Sequence, residues 1–250
     1  MKISLKEAKK LCSSHHRKKT GLVLIEGEKV INSIIEDAQE KVKKIFITKD
    51  KESLNDFITQ YNGEIEFVSE KDANELRQTK TSQGIFAVVE APEKKAIQEL
   101  VGIDENIVVF DNISNPDNLG SMIRTALAFG WRRFLFVGSS IGLNNNTVVR
   151  ASSGNLYKAN YYYGDYSDID MIAEKKDIYI ADLNGEKPDS ENLSKKTKRI
   201  IILGNEGNGI SENVYKKIKS KKKIITLEMS YLVDSLSVAH ASAVLFYLLK

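Results

Sequence analysis

The chain has 250 residues, 42% of them hydrophobic and 28% charged, with a formal net charge of +3. That length accommodates one large domain or two modest ones, each burying a real core. A single cysteine, Cys12, excludes an intrachain disulfide; no Cys/His cluster supports a zinc site, and no apolar run approaches the about 18 residues of a membrane span.

The N-terminal stretch MKISLKEAKKLCSSHHRKK lacks the apolar core of a signal peptide, so a soluble, cytoplasmic chain is expected. Cys12 sits in no motif and reads as an incidental helix residue. Within residues 1–20, Lys2, Lys6, Lys9, Lys10, Arg17, Lys18 and Lys19 stand against one acid, Glu7. A second cluster holds Lys216, Lys217, Lys219, Lys221, Lys222 and Lys223. Either patch suits a polyanion such as RNA, and a solvated lysine-rich surface accounts for each one equally well.

Next comes a βαβα rhythm. Strands are predicted at 22–25, 44–48, 64–68 and 84–89, with helices at 29–40 and 54–61. A short helix running to Arg77 is predicted to start on a Ser69–Asp72 capping pair. Residues 90–105, charged and carrying Pro92, read as a linker that runs into a short helix. The rhythm then restarts, with strands at 107–111, 134–138, 178–182, 199–203 and 223–227 and helices at 119–129, 169–175, 211–219 and 236–249. Near-continuous apolar strands alternating with helices predict a mostly parallel sheet covered on both faces. The expected division is therefore a small α/β domain over 1–92, a linker over 93–105 and a second α/β domain over 106–250.

Three strand–turn–helix segments stand out in this second part. In NISNPDNLGSMIRTALAFG (112–130), Pro116 and Asp117 break the strand, Asn118 sits where a helix N-cap belongs, and Gly130 is placed to end the helix. On that helix Gly120, Arg124 and Ala128 share a face, so a long cation stands between two small residues. The second segment follows the apolar run 200–203 with GNEGNGIS (204–211). It has neither the lysine nor the glycine spacing of a phosphate loop, and Glu206 would repel a polyphosphate; a neutral or cationic ligand such as S-adenosylmethionine fits better. The third leads through EMSYLVD into a C-terminal helix that is apolar all round, which predicts a helix packed inside the protein or at an interface. Asp234, Ser235 and Ser237 are alternative caps for it. His240 within it reads as a packed core or interface histidine rather than a ligand.

Taken together, these segments resemble the SpoU/TrmH family of RNA ribose 2′-O-methyltransferases, a branch of the SPOUT class. The first motif is carried by Asn115-Pro116, Asn118, Gly120, Arg124 and Ala128-Phe129-Gly130, the second by Leu203-Gly204-Asn205-Glu206-Gly207 and Gly209. VVRASSGNLYK (148–158) is similar to the family's Arg-Ala-Ser-x-Gly segment, and HHRKKTGLVLIEGEKVI with TKTSQGIFAVVE is similar to its substrate-binding domain. The third motif departs from the family: Glu228 stands for a proline, Tyr231 for a glycine and Ser237 for an asparagine, while Met229, Ser235, Leu236 and Val238 are kept.

The resemblance implies an α/β fold whose C-terminal chain threads a trefoil knot, a homodimer with its active site completed near the subunit interface, and S-adenosylmethionine as cofactor without a metal. It implies methylation of structured RNA, rRNA favoured over tRNA. By the same resemblance Arg124 is the catalytic arginine, with Asn118, Glu206 and Ser237 as its companions. Leu203, Gly204, Asn205, Gly207, Leu227, Met229, Ser235 and Leu236 would hold the cofactor. Arg17, Lys18, Lys19 and Arg150 would contact RNA. Because Glu228 would bring a carboxylate toward the expected donor position, an RNA-binding relative with weakened or lost catalysis is the alternative reading, beside a tRNA-directed enzyme.

Overall fold

The computed structural model describes residues 3–49, 61–188 and 197–250, which form two compact units. The helix expected at 54–61 falls almost wholly outside the described residues.

The first unit comprises Met1–Pro92 and Gly142–Tyr157. Its four-stranded sheet, in the order β1-β4-β2-β3, is built from β1 (Leu22–Glu26), β2 (Val42–Thr48), β3 (Ile65–Val68) and β4 (Ile85–Glu90). β4 runs antiparallel to both β1 and β2, and β2 runs parallel to β3. Two short helices, α1 (Leu5–Lys10) and α2 (Ser14–Thr20), precede the sheet, and Cys12 lies exposed in the turn between them. α3 (Glu28–Ala38) buries Ile31, Ile34, Ile35 and Ala38, the spacing of a one-sided helix. α4 (Glu70–Leu76) opens on Ser69, whose hydroxyl accepts the Asp72 amide at 3.2 Å, as the capping pair predicts.

The segment Gly142–Tyr157, with the helix α6 (Asn146–Ala151), interrupts the second half of the sequence yet packs with this first unit. The Arg17 Nε donates to the Asn144 carbonyl at 3.0 Å, and the Tyr157 hydroxyl donates to the Glu90 carbonyl at 2.7 Å. The structural division is thus discontinuous in sequence, unlike the continuous 106–250 stretch that the strand rhythm suggests.

The second unit comprises Glu93–Ile141 and Lys158–Lys250. Its seven-stranded sheet has the order β11-β9-β10-β6-β7-β8-β5, and all six neighbouring pairs are parallel. The strands are β5 (Lys94–Ala96), β6 (Ile107–Asp111), β7 (Arg133–Val137), β8 (Asn160–Tyr163), β9 (Lys176–Glu186), β10 (Lys198–Leu203) and β11 (Lys222–Ile225). Two of these, β5 and β8, escape the sequence reading. The stretch expected to be a linker supplies β5, which pairs with β8 as an edge strand; three residues and a Lys-rich pattern give no periodic signal. The helices are α5 (Pro116–Ala128), α7 (Ile169–Ile172), α8 (Glu212–Lys217) and α9 (Val238–Leu248). Ile107, Val109, Ile178, Ile180, Ile200 and Ile202 lie in one buried cluster, as expected of central parallel strands covered by helices.

The C-terminal helix is not buried all round. Ser242, Leu245 and Phe246 are buried, whereas Val244, Tyr247 and Leu248 face outward. Its inner side is anchored by the buried Trp131, whose Nε1 donates to the Phe246 carbonyl at 3.3 Å, and by the buried Arg199, which donates to the Leu249 carbonyl at 2.8 Å. A guanidinium at a helix C-terminus meets the unpaired carbonyls there. His240 is exposed, not packed into the core of its own chain.

Candidate functional site

Register decides where the turns meet. β6 and β10 are parallel neighbours with Phe110 opposite Leu203, so the turns that follow them leave the sheet side by side. Strand order reverses at this pair: β7 and β8 lie beyond β6, β9 and β11 beyond β10. Such a reversal leaves a crevice beyond the carboxyl ends of the strands.

The first turn is held by a buried carboxylate. Asp111, fully buried at the end of β6, accepts the Tyr166 hydroxyl at 2.7 Å, the Asn112 amide nitrogen at 2.7 Å and the Ser211 backbone N–H at 2.7 Å. Burial, with Asp111 beside it, pushes the Tyr166 phenol up. Asn112 adopts φ 55°, a left-handed conformation that asparagine tolerates better than most residues, and its Oδ1 accepts the Ser139 N–H at 2.7 Å.

Helix α5 starts three residues earlier than its sequence suggests. Asn115, not Asn118, is the N-cap: its side chain accepts the N–H groups of Asp117 at 2.9 Å and Asn118 at 3.2 Å. Pro116 does not merely break the strand; it occupies the first helical position, where a missing N–H costs nothing. The far end follows the sequence. Gly130 takes φ 86° and donates to the Leu127 carbonyl at 3.1 Å, while the Trp131 N–H reaches the Ala126 carbonyl at 2.9 Å. This is a Schellman ending.

The second turn, Gly204–Gly209, closes through paired backbone hydrogen bonds between Asn205 and Gly209 at 2.9 and 3.0 Å. A Cβ on Gly204 would stand 2.4 Å from the Gly209 carbonyl oxygen, so only glycine admits the chain folding back over it. Asn205 braces the loop from both ends. Its Oδ1 accepts the N–H groups of Gly207 and Asn208, and its Nδ2 donates to the Asn112 carbonyl at 2.9 Å and the Ser114 hydroxyl at 3.1 Å.

Glu206 then ties this turn to the first. Its carboxylate accepts the Ser114 hydroxyl at 3.0 Å, the N–H groups of Ser114 at 3.4 Å and Asn115 at 3.2 Å, and the Asn118 amide at 3.4 Å. Partial burial alone would raise this carboxyl, but the hydrogen bonds outweigh it and hold the group below the usual carboxylate range. Glu206 and Asn118 are therefore direct partners.

A cleft of about 400 Å³ opens at the carboxyl ends of β9, β10 and β11. Leu203, Gly204, Asn205, Gly207, Leu227, Met229, Ser235 and Leu236 all line it, as does Glu206. Sequence reasoning missed the contribution of β9: Ala181, Asp182, Leu183 and Asn184 line the same cleft because β9 is the neighbour of β10. No local motif marks these residues; only strand order identifies them.

Arg124 lies elsewhere. It is exposed on α5, makes no hydrogen bond or ion pair with any described residue, and is not part of the cleft wall. Gly120, one turn before it, is buried, whereas Ala128, one turn after, is exposed. Ser237 is the cap of α9, chosen from the three alternatives: its Oγ accepts the His240 N–H at 3.4 Å and lies 2.8 Å from His240 Nδ1. Glu228 does not line the cleft; it pairs with Lys187 at 2.5 Å, which holds its carboxyl below the usual range. Tyr231 is 94% exposed. The three positions that depart from the family's third motif thus all lie off the cleft wall.

Of the expected RNA contacts, Arg17 has a different task. It is 7% exposed, and Nη1 donates to the carbonyls of Leu11 and Cys12 at 2.8 and 2.9 Å while Nε serves Asn144. Its guanidinium is spent on backbone oxygens, so it braces the first unit rather than facing an anion. Lys18, Lys19 and Arg150 are exposed.

The model of the SpoU rRNA Methylase family matches residues 105–247, and the model for RNA 2′-O ribose methyltransferase substrate binding matches residues 24–95. The 23S rRNA (guanosine(2553)-2′-O)-methyltransferase RlmP of Bacillus subtilis is 27% identical over 249 residues, spanning 98% of this chain and 95% of that protein. The 23S rRNA (guanosine-2′-O-)-methyltransferase RlmB of Haemophilus influenzae is 23% identical, over 89% of this chain and 95% of its own length. Among solved structures, the SpoU methyltransferase AviRb from Streptomyces viridochromogenes, in complex with the cofactor AdoMet, superposes with a TM-score of 0.81 at 19% identity. That match covers 100% of this chain and 97% of AviRb, and it shows a shared fold.

Proposed function

The chain belongs to the SpoU rRNA methylase family, and on that premise we propose that it transfers the methyl group of S-adenosylmethionine to a ribose 2′-OH of ribosomal RNA. The observation that carries this reading is the cleft at the carboxyl ends of β9, β10 and β11. Its volume of about 400 Å³ lies in the usual range of small-molecule pockets, and its walls combine apolar side chains with the backbone of two turns. The donor set fits: the walls hold two carboxylates and no Lys, Arg or His, which suits a cationic or neutral ligand and disfavours a polyphosphate. Leu203, Gly204, Asn205, Gly207, Leu227, Met229, Ser235 and Leu236 would hold the methyl donor, which supplies an electrophilic methyl on its sulfonium. That Glu228, Tyr231 and Ser237 lie off this wall favours the active enzyme over the reading in which catalysis is lost.

Arg124 acts at the ribose. An arginine, with a pKa above about 12, is a poor base in water, so its role is to stabilise the developing alkoxide or an adjacent phosphate. Asn118 and Glu206 set the turn from which α5 and Arg124 extend. Ser237 acts through the last helix, which it caps.

Arg124 lies outside its own chain's cleft wall, and a homodimer resolves this. Val244, Tyr247 and Leu248 on α9, and Tyr231, Leu232 and Val233 in the segment before it, are exposed apolar side chains that a second copy would cover, completing the site from two subunits. The trefoil threading belongs to the same reading; the packing of α9 against α5 supports it. The N-terminal unit, with Lys18, Lys19 and Arg150, docks the RNA in the cytoplasm. The test is transfer of labelled methyl groups to rRNA from a strain lacking the gene, with the modified nucleotide mapped. Arg124→Ala is expected to lower transfer by about a hundredfold or more while donor binding persists. An unchanged rate refutes the assignment.

A further inference from the structure

Asp182 lies in β9 two residues past Ile180, the last residue paired with β10, in the wall of the cleft, and none of the three sequence motifs includes it. Three neutral donors orient it. Oδ1 accepts the Asn184 N–H at 2.9 Å and its side-chain amide at 3.2 Å, and Oδ2 accepts the Tyr215 hydroxyl at 2.9 Å. No described cation forms an ion pair with it, and the cleft wall contains no basic residue. Its field is felt locally: burial first, then Asp182, pushes the Tyr215 phenol up to about 12.

The other carboxylate in the wall, Glu206, is turned to a structural purpose, bridging the first two turns through amide and hydroxyl donors. Asp182 bridges no two turns of the site. It is a half-buried carboxylate steadied by neighbours in the cleft wall, where Coulomb attraction is stronger than in bulk water.

We propose that Asp182 gives the cleft a preference for the positively charged methyl donor over the neutral thioether left after transfer. This rests on the methyltransferase reading above. Donor and product share adenosine, ammonium and carboxylate groups, and differ by one methyl and one unit of positive charge on sulfur. A fixed negative charge in the wall attracts the donor more than the product, so spent product leaves more readily than donor. Tyr215 is a positioning residue for that charge.

Calorimetric titration with S-adenosylmethionine and S-adenosylhomocysteine tests the assignment without requiring turnover. Asp182→Asn is expected to weaken donor binding about tenfold and product binding less than about twofold. Tyr215→Phe keeps the charge but loosens it, and is expected to lower the donor-over-product ratio by a smaller factor. Asp182→Ser, which also removes the charge, supplies the same ratio if the asparagine variant does not fold. Equal weakening of both ligands, or an unmoved ratio, overturns the role of Asp182. If the unaltered protein binds neither ligand, the methyltransferase reading itself falls.

Discussion

Replacing Asp111 with asparagine removes one buried oxygen acceptor and installs two N–H donors in its place. In the native site the two carboxylate oxygens receive three donors at 2.7 Å: the Tyr166 hydroxyl and Asn112 amide on Oδ1, and the Ser211 N–H on Oδ2. Whichever way the new amide turns, its NH₂ faces at least one of those donors. One charge-assisted hydrogen bond is lost and one buried donor is left unpaired, for a combined cost of about 2–4 kcal/mol. For a protein of this size that lowers the melting temperature by about 5–15 °C. The same change loosens the start of α8 and the left-handed Asn112, on which the Asn205 side chain rests, so donor affinity should fall with stability. Differential scanning calorimetry with and without S-adenosylmethionine reads both effects. A melting temperature within about 1 °C of the parent would refute the argument that this carboxylate holds the two turns together.

Three further outcomes follow from the geometry. Gly204→Ala should destabilise the second turn and abolish measurable donor binding, because the new methyl group would stand 2.4 Å from the Gly209 carbonyl oxygen; calorimetric titration and a thermal melt check it. The folded-state pKa of Glu206 is depressed, so its contribution to stability is present above the unfolded carboxyl value and disappears as pH falls through the lower folded value. Glu206→Gln should therefore flatten the acid side of the melting temperature against pH below the unfolded carboxyl value of about 4.3, and leave a parent-like slope there only if the turn-to-turn tie is absent. Arg17→Ala should lower the melting temperature with no change in the salt dependence of RNA binding, whereas Lys18→Ala with Lys19→Ala should flatten that dependence and leave stability alone; the reverse pattern in filter binding would return Arg17 to the RNA surface.

Much of the strand pattern was legible because burial on both faces of a parallel sheet leaves a continuous apolar run, and 107–111, 134–138 and 199–203 each appear within one residue of their observed limits. β5 and β8 were not, since a three-residue lysine-bearing edge and the tyrosine run at 160–163 carry no such pattern. The helix cap slipped from Asn115 to Asn118 for a similar local reason: both asparagines are plausible caps, and only the position of Pro116 at the first helical residue decides between them. The outward face of α9 could not be read from a helix apolar on every side, because composition does not say which apolar face a single chain covers.

The sequence by itself determined the chemistry available: a lone arginine on a capped helix, glycines that allow a chain to fold back on itself, and eight residues that the family resemblance marks for the cofactor, all of which line one cleft. These features are local in sequence: the arginine helix lies within 112–130, the glycine turn within 204–211 and the eight cofactor residues within 203–236. Which of them meet is a matter of strand order and register. Pairing Phe110 with Leu203 brings Glu206 onto the start of α5, and seating β9 beside β10 adds Asp182 to the wall. The same folding sets Arg17 against the Asn144 carbonyl, 127 residues away, and so takes it out of solvent. Contacts across such separations arise only when distant segments are buried together, since a buried polar group keeps whichever partner the packed chain brings to it.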